Sequence, residues 1–168
     1  LTDADCLPGS DHWLDSFGQH MTADLDFILA ASPYRSTNSI LNAYIQFETF
    51  ITAYEYLSAA ALNNPYMGVG RNLAYKKEEV YNVKGFIDHM KIRSGDDDLF
   101  INQVAKSKNT AICYSPESFT YSQPKTKFKD WFNQKRRHVS TARFYKSFDR
   151  VQLGLFYASQ LLFILLPI

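Results

Sequence analysis

DLDFILAAS, residues 24–32, is the stretch whose reading decides the fold. Its apolar density is that of a buried strand. Four residues further on, residues 36–65 read STNSILNAYIQFETFITAYEYLSAAALNNP, with the positions Ile40, Leu41, Tyr44, Phe47, Ile51, Tyr54, Ser58 and Ala61 recurring in steps of three and four. That spacing predicts a long amphipathic helix, stopped by Asn63, Asn64 and Pro65, with its aromatic stripe in the core. A buried strand followed directly by a helix is the unit from which α/β domains are built.

Working outward, LPGSDHWLDSFGQHM (7–21) turns at Pro8 and Gly9, and Ser10 or Asp11 can cap a short helix. YMGVGRNLAYKKEEV (66–80) reads as loop, short strand and helix start, and DDDLFINQVAKS (96–107) as another helix. NTAICYSPESFTYSQP (109–124) has strand-like content broken by Pro116 and closed by Pro124. A third helix is expected over 127–148, with Phe128, Trp131, Phe132, Val139, Ala142 and Tyr145 on one side. There is no internal repeat or low-complexity linker, and the strands are too few for a complete doubly wound sheet.

The 168 residues, 46% of them apolar, suffice for one core. Cys6 and Cys113 form no CxxC or Cys/His pattern, which suits a reducing compartment. His12, His20, His89 and His138 show no metal-binding spacing, so a histidine-bound zinc is not expected. The net charge of +1 is unevenly spread: residues 125–150 hold nine basic and two acidic side chains, +7 in all, leaving −6 for the remainder. VQLGLFYASQLLFILLPI (151–168) has no charged residue and as a helix extends about 27 Å, close to a ~30 Å hydrocarbon layer. It is read as a truncated transmembrane helix, with a buried C-terminal helix as the soluble alternative. Basic residues against its start place the preceding domain, residues 1–150, on the cytoplasmic side of a membrane. The opening LTDADC has neither an initiating methionine nor a signal-like pattern, so the chain is expected to be a fragment.

Asp3 and Asp5 offer hard oxygen ligands of the kind that hold Mg²⁺ or Mn²⁺ beside phosphate oxygens; if a buried strand ends at Leu1 or Thr2, both carboxylates emerge where α/β sheets bind ligands. In GVGRN, Gly68 and Gly70 permit a turn or close ligand approach, without the remaining residues of a P-loop or a dinucleotide site. Asp96, Asp97 and Asp98 either start a helix or contain a reactive carboxylate. DWFNQKRRH (130–138) mixes aromatics with cations that can bind phosphate. Nucleic acid is not expected as its partner, because the rest of the surface is acidic.

Taken in order, these segments resemble a family 2 glycosyltransferase from its metal motif onward. TDADC (2–6) resembles the family's D-x-D, PYMGVGRNLAYKK (65–77) its G-x-N-x-A-Y-[KR] segment, GDDDL (95–99) its E-D-x-[DE]-L base motif, and QKRRH (134–138) its Q-x-x-R-W. Gly95 stands in place of the motif's glutamate, and His138 in place of its tryptophan, which removes support for a processive role. The resemblance implies the C-terminal half of an A-type, Rossmann-like glycosyltransferase domain, and an inverting transfer from a nucleotide-sugar donor to a glycan or lipid acceptor hydroxyl. It implies Mg²⁺ or Mn²⁺ at Asp3 and Asp5, a catalytic base at Asp96, or at Asp97 in a shifted register, and substrate contacts from Gly70, Asn72, Gln134 and Arg137. The family's nucleotide-binding front half is missing from this sequence, so the fragment alone is expected to be inactive. The alternative is a noncatalytic, membrane-tethered module that binds metal or ligand.

Overall fold

A computed structural model describes residues 1–82 and 94–166. In chain order they form β1 (Cys6–Pro8), α1 (Trp13–Gly18), β2 (Phe27–Ala30), α2 (Ile40–Ala61), β3 (Leu73–Tyr75), α3 (Lys77–Asn82), α4 (Asp98–Val104), β4 (Thr110–Cys113), β5 (Thr120–Ser122), α5 (Phe128–Val139) and α6 (Ser147–Leu165). The fold is mixed α/β with small sheets. His89 lies outside the described residues.

β2 is the central strand of a three-stranded sheet in the order β3-β2-β4, parallel to β4 and antiparallel to β3. All four of its residues are buried, as expected of a strand covered on both faces. Successive side chains alternate between those faces. Phe27 and Leu29 join Tyr56, Tyr66, Leu73, Leu99, Phe100 and Tyr145 in the larger core, while Ile28 and Ala30 meet Phe17 of α1 and Cys113 in a smaller one. β1 and β5 pair antiparallel as a separate ribbon. Cys6 and Cys113 are both free and buried.

α2 has the expected limits. Ser39 caps it by accepting from the Asn42 N–H, and Asn63, at φ +68°, turns the chain out of it. The buried face is not the expected one. Asn42, Ile45, Thr49, Tyr56 and Ala59 face inward, whereas Ile40, Tyr44, Phe47 and Tyr54 of the predicted stripe are exposed. A helix apolar on several sides does not fix its own rotation. Here specific partners do: the Asn42 amide accepts from the Thr37 N–H and donates to the Arg35 carbonyl, and the Tyr56 hydroxyl donates to the Ala30 carbonyl at 2.8 Å.

The single helix expected over 127–148 is two helices. α5 ends at Val139, and a 3₁₀ turn at Ala142–Phe144 leads into α6. Thr141 and Tyr145 leave the helical path because both hydroxyls are drawn inward to Asp98, each at 2.6 Å. Of the expected apolar side, Trp131 and Tyr145 are buried, while Phe128, Phe132 and Val139 are exposed.

The transmembrane start expected at 151–168 is also corrected. Among the described residues no helix is long and apolar enough to cross a membrane. The apolar run belongs to α6, whose first turns carry Asp149 and Arg150 and whose body is interrupted by Gln152, Gly154, Ser159 and Gln160. Among the described residues there is thus no span to support the orientation argued from the basic flank. The start of α6 is instead tied to α4. Buried Asp149 accepts from the Asn102 amide at 2.8 Å and the Asn64 amide at 3.3 Å, and the Lys146 N–H donates to Asn102 Oδ1 at 3.0 Å.

Candidate active site

Ligands of open α/β sheets bind beyond the carboxyl ends of the parallel strands. At that edge the loops after β2 and β4 are joined by one buried side chain. Asn72 donates to the Ala31 carbonyl at 2.6 Å and the Ser118 carbonyl at 2.7 Å, and accepts from the Trp13 indole at 3.0 Å. Its amide is thus spent on holding the loops together. Gly70, two residues earlier, donates its N–H to Asp97 Oδ2 at 2.5 Å; a Cβ at this position would stand 3.0 Å from the same oxygen. Two of the expected substrate-binding residues therefore build the edge: Asn72 by joining its loops, Gly70 by allowing the close approach of Asp97.

Leu1 lies against β3, where its carbonyl accepts from the Leu73 N–H at 3.2 Å. Leu1 and Thr2 are exposed and belong to no strand, so Asp3 and Asp5 do not follow a buried strand end; they lie in the turn before β1. Asp3, Asp5 and Cys6 can bring one ligand atom each to within 4.8 Å of one another. Cys6 Sγ is buried and 2.9 Å from Ser122 Oγ, which leaves two exposed carboxylates as the available donors. Such a pair fits a hard divalent cation, although exposed acidic groups of this kind are common without one.

Asp96, Asp97 and Asp98 have three different environments. Asp97 is the N-cap of α4, accepting from the Asp98 N–H at 2.8 Å as well as from Gly70. Asp98 is turned inward under Thr141 and Tyr145, and burial holds its carboxyl above the ordinary range despite those two hydrogen bonds. Burial is the leading cause of that rise, and the negative charge of Asp97 a lesser one. Asp96 is exposed and accepts no hydrogen bond from the described residues. Gly95 has φ +97°, and an added Cβ would lie 2.8 Å from Leu99 Cδ1, so this backbone disfavours the glutamate of the resembling motif.

The two acidic clusters, some 90 residues apart in sequence, act on one another. Asp3 is held above the usual carboxylate range, by partial burial first, then by the negative charges of Asp97 and Asp5, and to a lesser degree by Asp96, while Arg71 pulls the other way. Basic and polar side chains gather around Tyr34. Arg71 stacks 4.6 Å above the Tyr34 ring, whose hydroxyl accepts from Gln134 Nε2 at 3.5 Å. His138 is exposed as a residue, yet burial of its ring first, and then the charges of Lys135, Arg137 and Arg71, push its imidazole down to about 4. Arg137 itself is exposed.

A separate open depression of about 730 Å³ lies at the amino ends of β2 and β4, between Asp24, Asp26, Glu79, Lys106 and Asn109. It is at the far end of the sheet from both acidic clusters. Sequence reading missed Arg71, Thr141 and Tyr145. The glycine either side of Val69 and the asparagine after Arg71 drew attention to the loop, but only the packed Tyr34 ring singles out Arg71.

Comparisons with models of known protein families and with curated proteins give no match to this chain.

Proposed function

We propose that the chain carries the metal-binding and acceptor side of an inverting, metal-dependent glycosyltransferase that moves a sugar from a nucleotide-sugar donor to a glycan or lipid hydroxyl. The observation that supports this reading is that both acidic segments meet one stretch of chain at the carboxyl edge of β2: Asp97 accepts from the Gly70 N–H at 2.5 Å, and Leu1, two residues before Asp3, accepts from the Leu73 N–H at 3.2 Å.

Asp3 and Asp5 would hold Mg²⁺ or Mn²⁺, which when bound supplies positive charge against a diphosphate leaving group. Asp96 is the base. It faces solvent without a competing hydrogen bond from the described residues, whereas Asp97 is committed to Gly70 and to its own helix. In the step itself the acceptor oxygen bonds to the anomeric carbon, and its proton passes to the Asp96 carboxylate. The bond from that carbon to the phosphate oxygen breaks, and its electron pair leaves with the nucleoside diphosphate. General-base assistance of this kind contributes roughly 10²- to 10⁴-fold. Gln134 and Arg137 serve the acceptor or the departing diphosphate.

Mn²⁺ titration with and without nucleotide sugars tests the reading. Metal affinity that rises with a nucleotide sugar is expected; metal binding indifferent to nucleotides is the result of a noncatalytic module. Asp96→Asn should abolish transfer and spare donor binding, and transfer surviving both Asp96→Asn and Asp97→Asn removes the base assignment.

A further inference from the structure

Arg71 sits between Gly70 and Asn72, and both of its neighbours are fixed. The Gly70 N–H is bound to Asp97, Asn72 is fully buried, and the Arg71 carbonyl accepts from Thr120 Oγ1 at 2.9 Å. The backbone that carries the guanidinium is therefore held on three sides. Its side chain lies 4.6 Å over the Tyr34 ring. Nη1 is shielded from solvent and has no hydrogen-bond partner among the described residues. No ion pair within 4.0 Å joins Arg71 to a carboxylate among those residues.

A desolvated guanidinium N–H without an acceptor is costly in a finished fold, and buried polar groups otherwise find partners. The planar fork matches phosphate oxygens two at a time, and an aromatic face under it fixes its plane. Leu1, two residues before Asp3, exchanges backbone hydrogen bonds with Leu73, two residues after Arg71, so the loop that carries the guanidinium and the Asp3/Asp5 turn leave the same end of β3. We propose that Arg71 is a diphosphate ligand of this site, gripping the side of the leaving group turned away from the Asp3/Asp5 pair while Tyr34 holds the guanidinium in plane. This assignment rests on the glycosyltransferase reading and adds to it a residue that meets the same Tyr34 side chain as Gln134.

The test is binding of inorganic pyrophosphate to the 168-residue chain in the presence of Mn²⁺, compared between the wild type, Arg71→Ala and Arg71→Lys. Arg71→Ala should weaken pyrophosphate about tenfold or more, the worth of one charge-assisted contact, and leave Mn²⁺ alone bound as before. Arg71→Lys, which keeps the charge and loses the fork, should fall between. In the wild type the guanidinium ¹H–¹⁵N signals of Arg71 should shift on adding pyrophosphate, a readout that needs no variant to fold. Pyrophosphate binding equal in all three proteins, or unmoved Arg71 signals in a chain that binds it, overturns the role of Arg71 alone. A wild-type chain that binds neither Mn²⁺ nor pyrophosphate overturns the glycosyltransferase reading and the Arg71 assignment with it.

Discussion

The Gly70 N–H and the Asp97 carboxylate meet at 2.5 Å, joining the loop before β3 to the first turn of α4 across 27 residues of chain. One oxygen of Asp97 takes this bond and the other takes the Asp98 N–H, so the residue beside the proposed base is fixed from two sides. A carboxylate in that position acts as a bracket, and Asp96 is what it holds out.

Gly70→Ala tests the bracket. The new Cβ would stand 3.0 Å from Asp97 Oδ2 and 3.2 Å from Asp97 Cβ, so the carboxylate must retreat. A loss of about 1–2 kcal/mol in urea unfolding is expected, typical of overpacking. An unchanged midpoint would show that Asp97 moves without cost.

Tyr145→Phe removes one of the two hydroxyl donors to Asp98. At neutral pH this should cost about 1–3 kcal/mol, because a buried acceptor loses its partner. The sign of the pH effect follows from the direction of the shift. Asp98 is raised in the fold, so its contribution favours the fold below the unfolded carboxylate value and is lost as pH rises through the folded one. Losing a donor to the ionised form raises the folded value further. The variant's deficit should therefore shrink on acidification, which urea unfolding at a series of pH values measures.

His138 titrates in the opposite sense. Its folded value of about 4 lies below the ordinary 6.5, so the unfolded chain takes up a proton first. Stability should be fully present above pH 6.5 and fall as pH drops toward 4. His138→Gln should remove that part of the slope, and imidazole signals in NMR should titrate near 4. A midpoint near 6.5 would show that the ring of this exposed residue is solvated rather than buried.

Asn72→Ala leaves the Trp13 indole and the Ala31 and Ser118 carbonyls each without their present partner. About 2–4 kcal/mol of stability should go, more than a surface asparagine could supply. Near-wild-type unfolding would mean that water replaces the amide.

The central strand and the long helix after it were readable because each has a local signature: a short apolar block at 24–32, and a three-and-four periodicity ended by Asn63 and Pro65. The rotation of α2 was not, since Asn42 and Tyr56 choose it through carbonyls of the β2 strand and the loop beyond it. The break between α5 and α6 carries no proline or glycine; its cause is Asp98, more than 40 residues upstream. The same distance hides the division of labour in the aspartate trio. Three identical residues in a row differ only through what folds against them. Residues 3, 5 and 96 could be suspected from their types and order, whereas Arg71 depends on a tyrosine 37 positions away.

The bonds from Asp149 and Lys146 to Asn102 make the final helix a prop for α4. Shortening this protein from its C-terminus should therefore injure the distant carboxylates as well as remove the apolar tail. A deletion that abolishes activity would be evidence of a loosened scaffold before it could be evidence of a lost anchor.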